Sequence, residues 1–327
     1  MSSRRRRRST DRDTLAVGLS AVIVAMNGDE PMVLAIQSND GSPDALPSGP
    51  LESRHRTLDA GLRSWVEQQT RQRLGYVEQL YTFGDSNRAG DEVNPQSRVL
   101  SIGYLALVRE ARPESDSNAL WRDWYRYFPW EDRRAGKPAV LTRIERELRH
   151  WIAAAGNRED RRSREERLRA SFGLHDAPLS DDRVLERYEL LYHVGLVPEA
   201  HRDGMRIWAS AKAVLTEGET MIADHRRVLA TAIGRLRGKI KYRPVVFELM
   251  PPTFRFRQLQ RAVEALAGLR LHTSNFRRLV ESQGLVEETG EVAAGTGGRP
   301  ARMLRFRRDV LLERPAPGVR LPIFRRS

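Results

Sequence analysis

Residues 257–307 read RQLQRAVEALAG (257–268), LRLHTSN (269–275), FRRLVESQG (276–284), LVEET (285–289), GEVAAGTGGRPA (290–301) and RMLRFR (302–307). Leu259, Val263 and Leu266 recur at helical spacing and Gly268 follows them, which predicts a helix over 257–267. His272-Thr273-Ser274-Asn275 opens a second helix, 275–283, closed by Gly284. Two short strands are expected at 285–289 and 302–307, joined by a Gly-rich tip. A short extended pairing is expected at 253–256.

Helix, helix and β-hairpin is the order of a winged helix-turn-helix. In that arrangement the first turn of the second helix offers Thr273, Ser274, Asn275, Arg277 and Arg278 to base edges and phosphates. The wing tip carries Arg299, and Arg302, Arg305 and Arg307 read as one phosphate-tracking strand edge. The competing reading is a small α+β unit with an ordinary hairpin. Charge favours the first reading. Residues 241–327 hold 17 Lys+Arg against 8 Asp+Glu, whereas 14–240 hold 33 of each sign. Residues 1–13 add six Arg against Asp11 and Asp13 and read as a disordered basic arm. The excess of +13 therefore sits at the two ends, and double-stranded DNA is the expected partner of the C-terminal block.

The chain has 327 residues and no cysteine, which excludes disulfides, thiolate metal sites and a cysteine nucleophile. Arg4 to Arg8 followed by an apolar run at 15–26 resembles the start of a signal peptide. Asp11 and Asp13 interpose, no small-x-small cleavage site follows, and the run ends at the turn Asn27-Gly28-Asp29, so it reads as a strand. No apolar stretch is long enough for a membrane span, and a cytoplasmic protein without membrane contact is expected.

Ahead of the C-terminal block, strands are expected at 16–26, 32–37, 76–83 and 99–109, with a helix from Leu58 to about Gln72 capped by Thr57. This is an α+β sheet domain. Residues 113–220 read as a mostly helical insert, with helices near 140–154, 160–171 and 181–194, the last capped by Ser180. Trp121, Trp124, Tyr125, Tyr127, Phe128 and Trp130 crowd one segment and read as packing residues rather than a base-stacking site. An amphipathic helix is expected at 223–237, with Asp224-His225 at its start as a cap and not as a catalytic pair. The resulting division is an arm (1–13), a sensor (14–240), a winged helix (241–315) and a tail (316–327).

Leu46-Pro47-Ser48-Gly49, the helix from Leu58 and the segment Tyr76 to Asp85 together resemble a Nudix domain. With Ala223-Asp224-His225, Asn275-Phe276-Arg277-Arg278 and Gly298-Arg299-Pro300-Ala301, the chain is similar to Nudix-related transcriptional regulators of the NrtR type. The resemblance covers both ends of the folded chain and is weakest over 113–205. It implies a Nudix-like mixed sheet, a C-terminal winged helix and a homodimer. It also implies repression of NAD-related metabolism in response to a nucleotide such as ADP-ribose.

The Nudix motif ends in Arg-Glu-apolar-x-Glu-Glu-x-Gly, whose carboxylates hold Mg²⁺ or Mn²⁺. Aligned on this helix, Ser64 stands at the Arg, Trp65 at the first Glu, Gln68 and Gln69 at the Glu pair, and Arg71 at the Gly. No catalytic or metal-ligating residue and no cofactor is therefore assigned, and hydrolysis is not expected. A ligand cleft is expected between this helix and residues 84–98, with Gln68, Gln69, Asp85 and Arg88 as polar contacts. Two alternatives stay open: a Nudix hydrolase with a nucleic-acid-binding appendage, and a nonspecific nucleic-acid binder whose affinity falls steeply with salt.

Overall fold

A computed structural model describes residues 14–38, 40–72, 74–84, 97–109, 118–173, 179–205, 207–293, 301–313 and 318–319. In chain order the strands and helices begin with β1 (Thr14–Asn27), β2 (Glu30–Ile36), β3 (Ser48–Pro50), α1 (Leu58–Thr70), β4 (Tyr76–Phe83), β5 (Ser97–Leu107) and β6 (Ala119–Asp123). Helices α2 (Ala139–Ala153), α3 (Arg158–Phe172), α4 (Val184–Val194), α5 (Pro198–Arg202) and α6 (His225–Ile240) follow. The C-terminal part holds β7 (Phe254–Arg255), α7 (Phe256–Ala267), α8 (Thr273–Ser282), β8 (Val286–Ala293), β9 (Ala301–Phe306) and α9 (Val310–Glu313).

The first six strands form one mixed sheet in the order β4-β5-β1-β2-β6. β1 and β5 run parallel, and β3 pairs with β1 at Gly18–Ser20, ahead of the stretch that β2 uses. β1 is the central strand and is buried on both faces, which is why its sequence is a continuous apolar run rather than an alternating one. Leu19, Ala21 and Ile23 pack with Leu62 and Val66 of α1 on one face. Val22 and Val24 join a larger core on the other, where Trp124, Tyr127, Phe128 and Trp130 are fully buried. Trp124, Tyr125, Tyr127, Phe128 and Trp130 are therefore core packing, whereas Trp121 is only partly buried and lies against the smaller core. The larger core continues through α6 into Leu259, Val263 and Leu266 of α7.

The expected strands and helices are present, with several differences; β8 runs on to Ala293, past its expected end at 289, and α9 has no counterpart in the sequence reading. β3 and β6 are too short or too mixed in character to announce themselves, and both are edge additions paired through backbone alone. The third 113–220 helix starts at Val184, three residues beyond its expected start at 181; Ser180 instead gives its carbonyl to Arg187 (2.8 Å) and its hydroxyl to Asp182. α6 runs on to Ile240, and Val319, read as part of a free tail, is buried with its N–H on the Ile240 carbonyl (2.8 Å). The arm 1–13 lies outside the described residues. Among the described residues no helix is long and apolar enough to cross a membrane.

Candidate functional site

α7 and α8 are joined by a turn that buried polar groups hold in place. Glu264 accepts the Leu271 N–H (2.9 Å) and the Gln260 amide (2.9 Å), and the same amide donates to the Leu271 carbonyl (3.1 Å). α8 buries only Phe276 and Val280. Thr273, Ser274, Asn275, Arg277 and Arg278 are all exposed, so the structure brings these five sequence-predicted residues onto one helix end. The first-turn N–H groups of a helix lack intrahelical acceptors and carry the positive end of its dipole, which suits phosphate. Arg278 donates to Asn275 (3.0 Å), and the Arg277 guanidinium lies 4.8 Å from the centroid of the Phe256 ring.

The hairpin that follows is β8 and β9, with β7 added to the free edge of β9. Its arginines do not form the single basic edge expected from sequence. Arg305 pairs with Glu287 (2.7 Å) and Arg302 with Glu288 (2.5 Å). Glu287 and Glu288 are adjacent on one strand and so point to opposite faces, and their partners do the same. Arg307 is turned away onto Glu313 (2.5 Å) and the Gly284 carbonyl (2.9 Å). Arg302 and Arg305 remain 68% and 60% exposed, so each is reachable, but at the cost of a cross-strand pair. Arg299 lies outside the described residues.

In the sensor, Thr57 caps α1 through its side chain (Ala60 N–H, 3.1 Å), and Asp59 pairs with Arg63 (2.9 Å). The helix ends at Arg71 in the left-handed region, φ +53°, the conformation for which chains ordinarily use Gly. Arg71 stands where the Nudix motif has its Gly, so the backbone supports that alignment frame. Gln68 is exposed. Gln69 is not available to a ligand as expected: its amide closes two hydrogen bonds on the Ser48 backbone, accepting at 3.0 Å and donating at 2.7 Å. Trp65 is half-buried. Its Nε1 donates to the Pro50 carbonyl (2.8 Å), and its ring occupies the place where a Cβ on Gly49 would fall 2.3 Å away. Both residues clamp α1 to β3. Asp85 and Arg88 lie outside the described residues.

A cavity of about 190 Å³ opens between β1, β3, β5 and the start of α6. Ser20, Ser48, Ser101, Asp224 and His225 are its polar lining. Ser20 and Ser101 share a hydroxyl contact at 3.3 Å across the parallel pair β1–β5. His225 Nδ1 accepts the Leu46 N–H at 2.9 Å, so the neutral ring carries its proton on Nε2. Burial, and then the charge of Arg202, lower the His225 pKa to about 4. The sequence reading placed His225 correctly at a helix start but gave it no site role. Asp224 precedes α6 without capping it through its side chain and pairs with Arg227 (3.4 Å). The missed signal was Ser20 and Ser101, hydroxyls within largely apolar strands; Ser20 is buried and needs a partner.

α6 links this cavity to the C-terminal part. His225 is at its start; Arg237, twelve residues and about 18 Å further on, is buried against the end of α7. Arg237 Nε donates to the Leu266 carbonyl (2.8 Å) and Nη1 to Glu131 (2.7 Å). Tyr125 donates to the Ala265 carbonyl (2.5 Å), and Arg133 N–H to the Gly268 carbonyl (2.8 Å). The last carbonyls of α7 are therefore satisfied by sensor residues.

Residues 246–306 match the family model of the NrtR DNA-binding winged helix domain. The chain is 39% identical over 83 residues to the ADPR responsive transcriptional repressor NtrR of Acinetobacter baylyi, covering 25% of this chain and 33% of that relative. The match thus spans about a third of the relative's length. The fold resembles NrtR of Shewanella oneidensis crystallised with a 27mer DNA, with a TM-score of 0.52 at 18% identity over 90% of this chain and 94% of that one. A MutT/nudix family protein from Enterococcus faecalis is similar at a TM-score of 0.51 and 17% identity, over 90% and 88% of the two chains. Residues 246–306 accordingly match the NrtR DNA-binding winged helix domain, and the chain as a whole resembles the NrtR fold.

Proposed function

We propose that the chain is a DNA-binding transcriptional repressor of NAD-related metabolism, acting as a cytoplasmic homodimer. Its sensor, 14–240, holds a nucleotide such as ADP-ribose, and its winged helix, 241–315, reads a site in double-stranded DNA. The observation that carries this reading is the first turn of α8. Five polar or basic side chains face outward there, within a segment that matches a DNA-binding winged helix family. Two copies reading a two-fold operator explain the expected dimer.

The relative's responsiveness to ADPR supports the effector, and the His225 cavity supplies a place for part of it. At about 190 Å³ it is smaller than the roughly 300–1,000 Å³ of most ligand pockets, so it takes one portion of a nucleotide. A ligand that releases DNA must bind the DNA-incompetent arrangement more tightly than the competent one. α6 is the element that would report its presence to α7.

DNA binding at a candidate operator, titrated with ADP-ribose and NAD at fixed salt, tests the reading directly. Arg277→Ala or Arg278→Ala should each cost about 1–3 kcal/mol at the specific site, and both leaving it unchanged would remove α8 as the reading helix. Incubation of ADP-ribose with Mg²⁺ or Mn²⁺ should yield no turnover. Hydrolysis abolished by substitutions within 52–69 would replace the repressor with an enzyme.

A further inference from the structure

A second groove lies beside the α8 face. It encloses about 700 Å³ between α7, α8 and the β1–β2 turn, and Arg257, Arg261, Arg270 and Arg277 line it together with Asp29 and Glu264. Four guanidinium groups converge in a recess that Thr273 and Arg277 share with the reading face. Two of the four are held by carboxylates: Arg270 by the buried Glu264 (3.3 Å) and Arg261 by Asp29 (2.5 Å). No carboxylate lies on Arg257 or Arg277 among the described residues.

Asp29 differs in kind from Glu264. Glu264 is buried and fastens the α7–α8 turn, so it is committed. Asp29 sits in the Asn27–Glu30 turn of the sensor, and both it and Arg261 are nearly half exposed. Its contact crosses from the sensor to the reader. The same turn is buttressed by Arg134, which donates to the Asp29 carbonyl (3.0 Å) and to Glu30 (2.7 Å), while the Arg134 carbonyl accepts from Arg270 (3.1 Å).

We propose that this groove seats the DNA sugar-phosphate backbone flanking the bases read by α8, and that Asp29 occupies the phosphate's place on Arg261 when DNA is absent. The inference rests on the DNA-binding reading above and extends it to residues of the sensor. An exposed carboxylate pair is weak and water-screened, so a polyanion with its own counterions to release can displace it. Arg holds a phosphate oxygen pair with the same two-pronged geometry that it offers a carboxylate. The sensor thereby sets DNA affinity through a competing charge, independent of base sequence.

The test is duplex binding by the full chain, followed by fluorescence anisotropy on an operator duplex and a random duplex. Asp29→Asn should tighten both about three- to tenfold, and Arg261→Gln should weaken both by a similar factor. Arg261→Gln should also flatten the slope of log affinity against log salt by about one, and Arg261→Lys should restore most of the loss. In the Arg261→Gln background, Asp29→Asn should change affinity by less than about twofold, because the competed cation is gone. Equal tightening in both backgrounds would mean simple repulsion of DNA by Asp29 and would overturn the proposal. So would unchanged affinity and salt slope in Arg261→Gln. A wild-type chain that bound neither duplex would instead remove the DNA-binding reading itself.

Discussion

Replacing Glu131 by Gln is expected to destabilise the folded chain by about 3–5 kcal/mol. Glu131 is 3% exposed and stands between Arg187 and Arg237, each 1% exposed. Its Oε1 accepts from Arg187 Nε (2.6 Å), and its Oε2 from Arg187 Nη2 (2.8 Å) and Arg237 Nη1 (2.7 Å). The remaining guanidinium protons go to the carbonyls of Ser171, Ser180, Asp181, Leu266 and Glu131 itself and to the Tyr125 hydroxyl. Gln keeps the volume but removes the carboxylate that Arg187 and Arg237 share and turns an N–H₂ toward donors. Two buried cations then lose their common counter-charge. Burial alone would raise the Glu131 pKa, but Arg187 and Arg237 outweigh it and hold the carboxyl below its ordinary range. This contribution is therefore present above the unfolded carboxylate value and lost as pH falls through the lower folded one. Urea unfolding at pH 7 checks the prediction; a variant within about 1 kcal/mol of wild type would contradict it. The effect should reach the reader, since Arg237 and Tyr125 satisfy the end of α7 and Gly268 passes too close to the Glu131 carbonyl for a Cβ, which would fall 2.3 Å away.

The second large effect is a loss of stability in mild acid that originates at His225. The folded chain keeps its ring neutral until pH falls to about 4, whereas an unfolded histidine takes a proton near its ordinary value of 6.5. A depressed folded value stabilises the protein above the unfolded pKa, and that stability drains away as pH falls from 6.5 toward 4. At about 1.4 kcal/mol per pKa unit the loss approaches roughly 3 kcal/mol. Protonation would also break the Leu46 contact, because Nδ1 would become a donor facing an N–H. Unfolding free energies measured across this range should fall more steeply in wild type than in a His225→Gln variant. Parallel slopes would assign the loss elsewhere. His193, held below its ordinary value by burial and by Arg167 and Arg164, contributes to both chains alike and cancels in the comparison. The Glu131 contribution is lost only from its unfolded value of 4.5 downward, so the two effects separate over most of this range.

Much of the fold is legible because it is written in local periodicity. The apolar run of β1, the spacing of Leu259, Val263 and Leu266 in α7, and the cap at Thr57 each depend on a few adjacent residues, and each appears where that pattern puts it. The exposed first turn of α8 follows from the same logic, since Phe276 and Val280 claim one face and leave the polar residues the other. β3 and β6 have no such pattern: they are strands only because β1 and β2 offer unpaired backbone.

The candidate site divides along the same line. Residue types alone put Gln68 and Gln69 on the helix that resembles the Nudix motif helix, and put the excess positive charge at the ends of the chain. They could not establish that Gln69 spends its amide on Ser48, that Arg302 and Arg305 face opposite ways onto glutamates, or that Asp29 reaches Arg261. Nor could they bring Glu131, Arg187 and Arg237 into one buried cluster. A side chain's local spacing sets which element it joins, but its partner is chosen by chain segments far away in sequence. For charged and amide groups that partner decides whether the group is structural or free to meet a ligand.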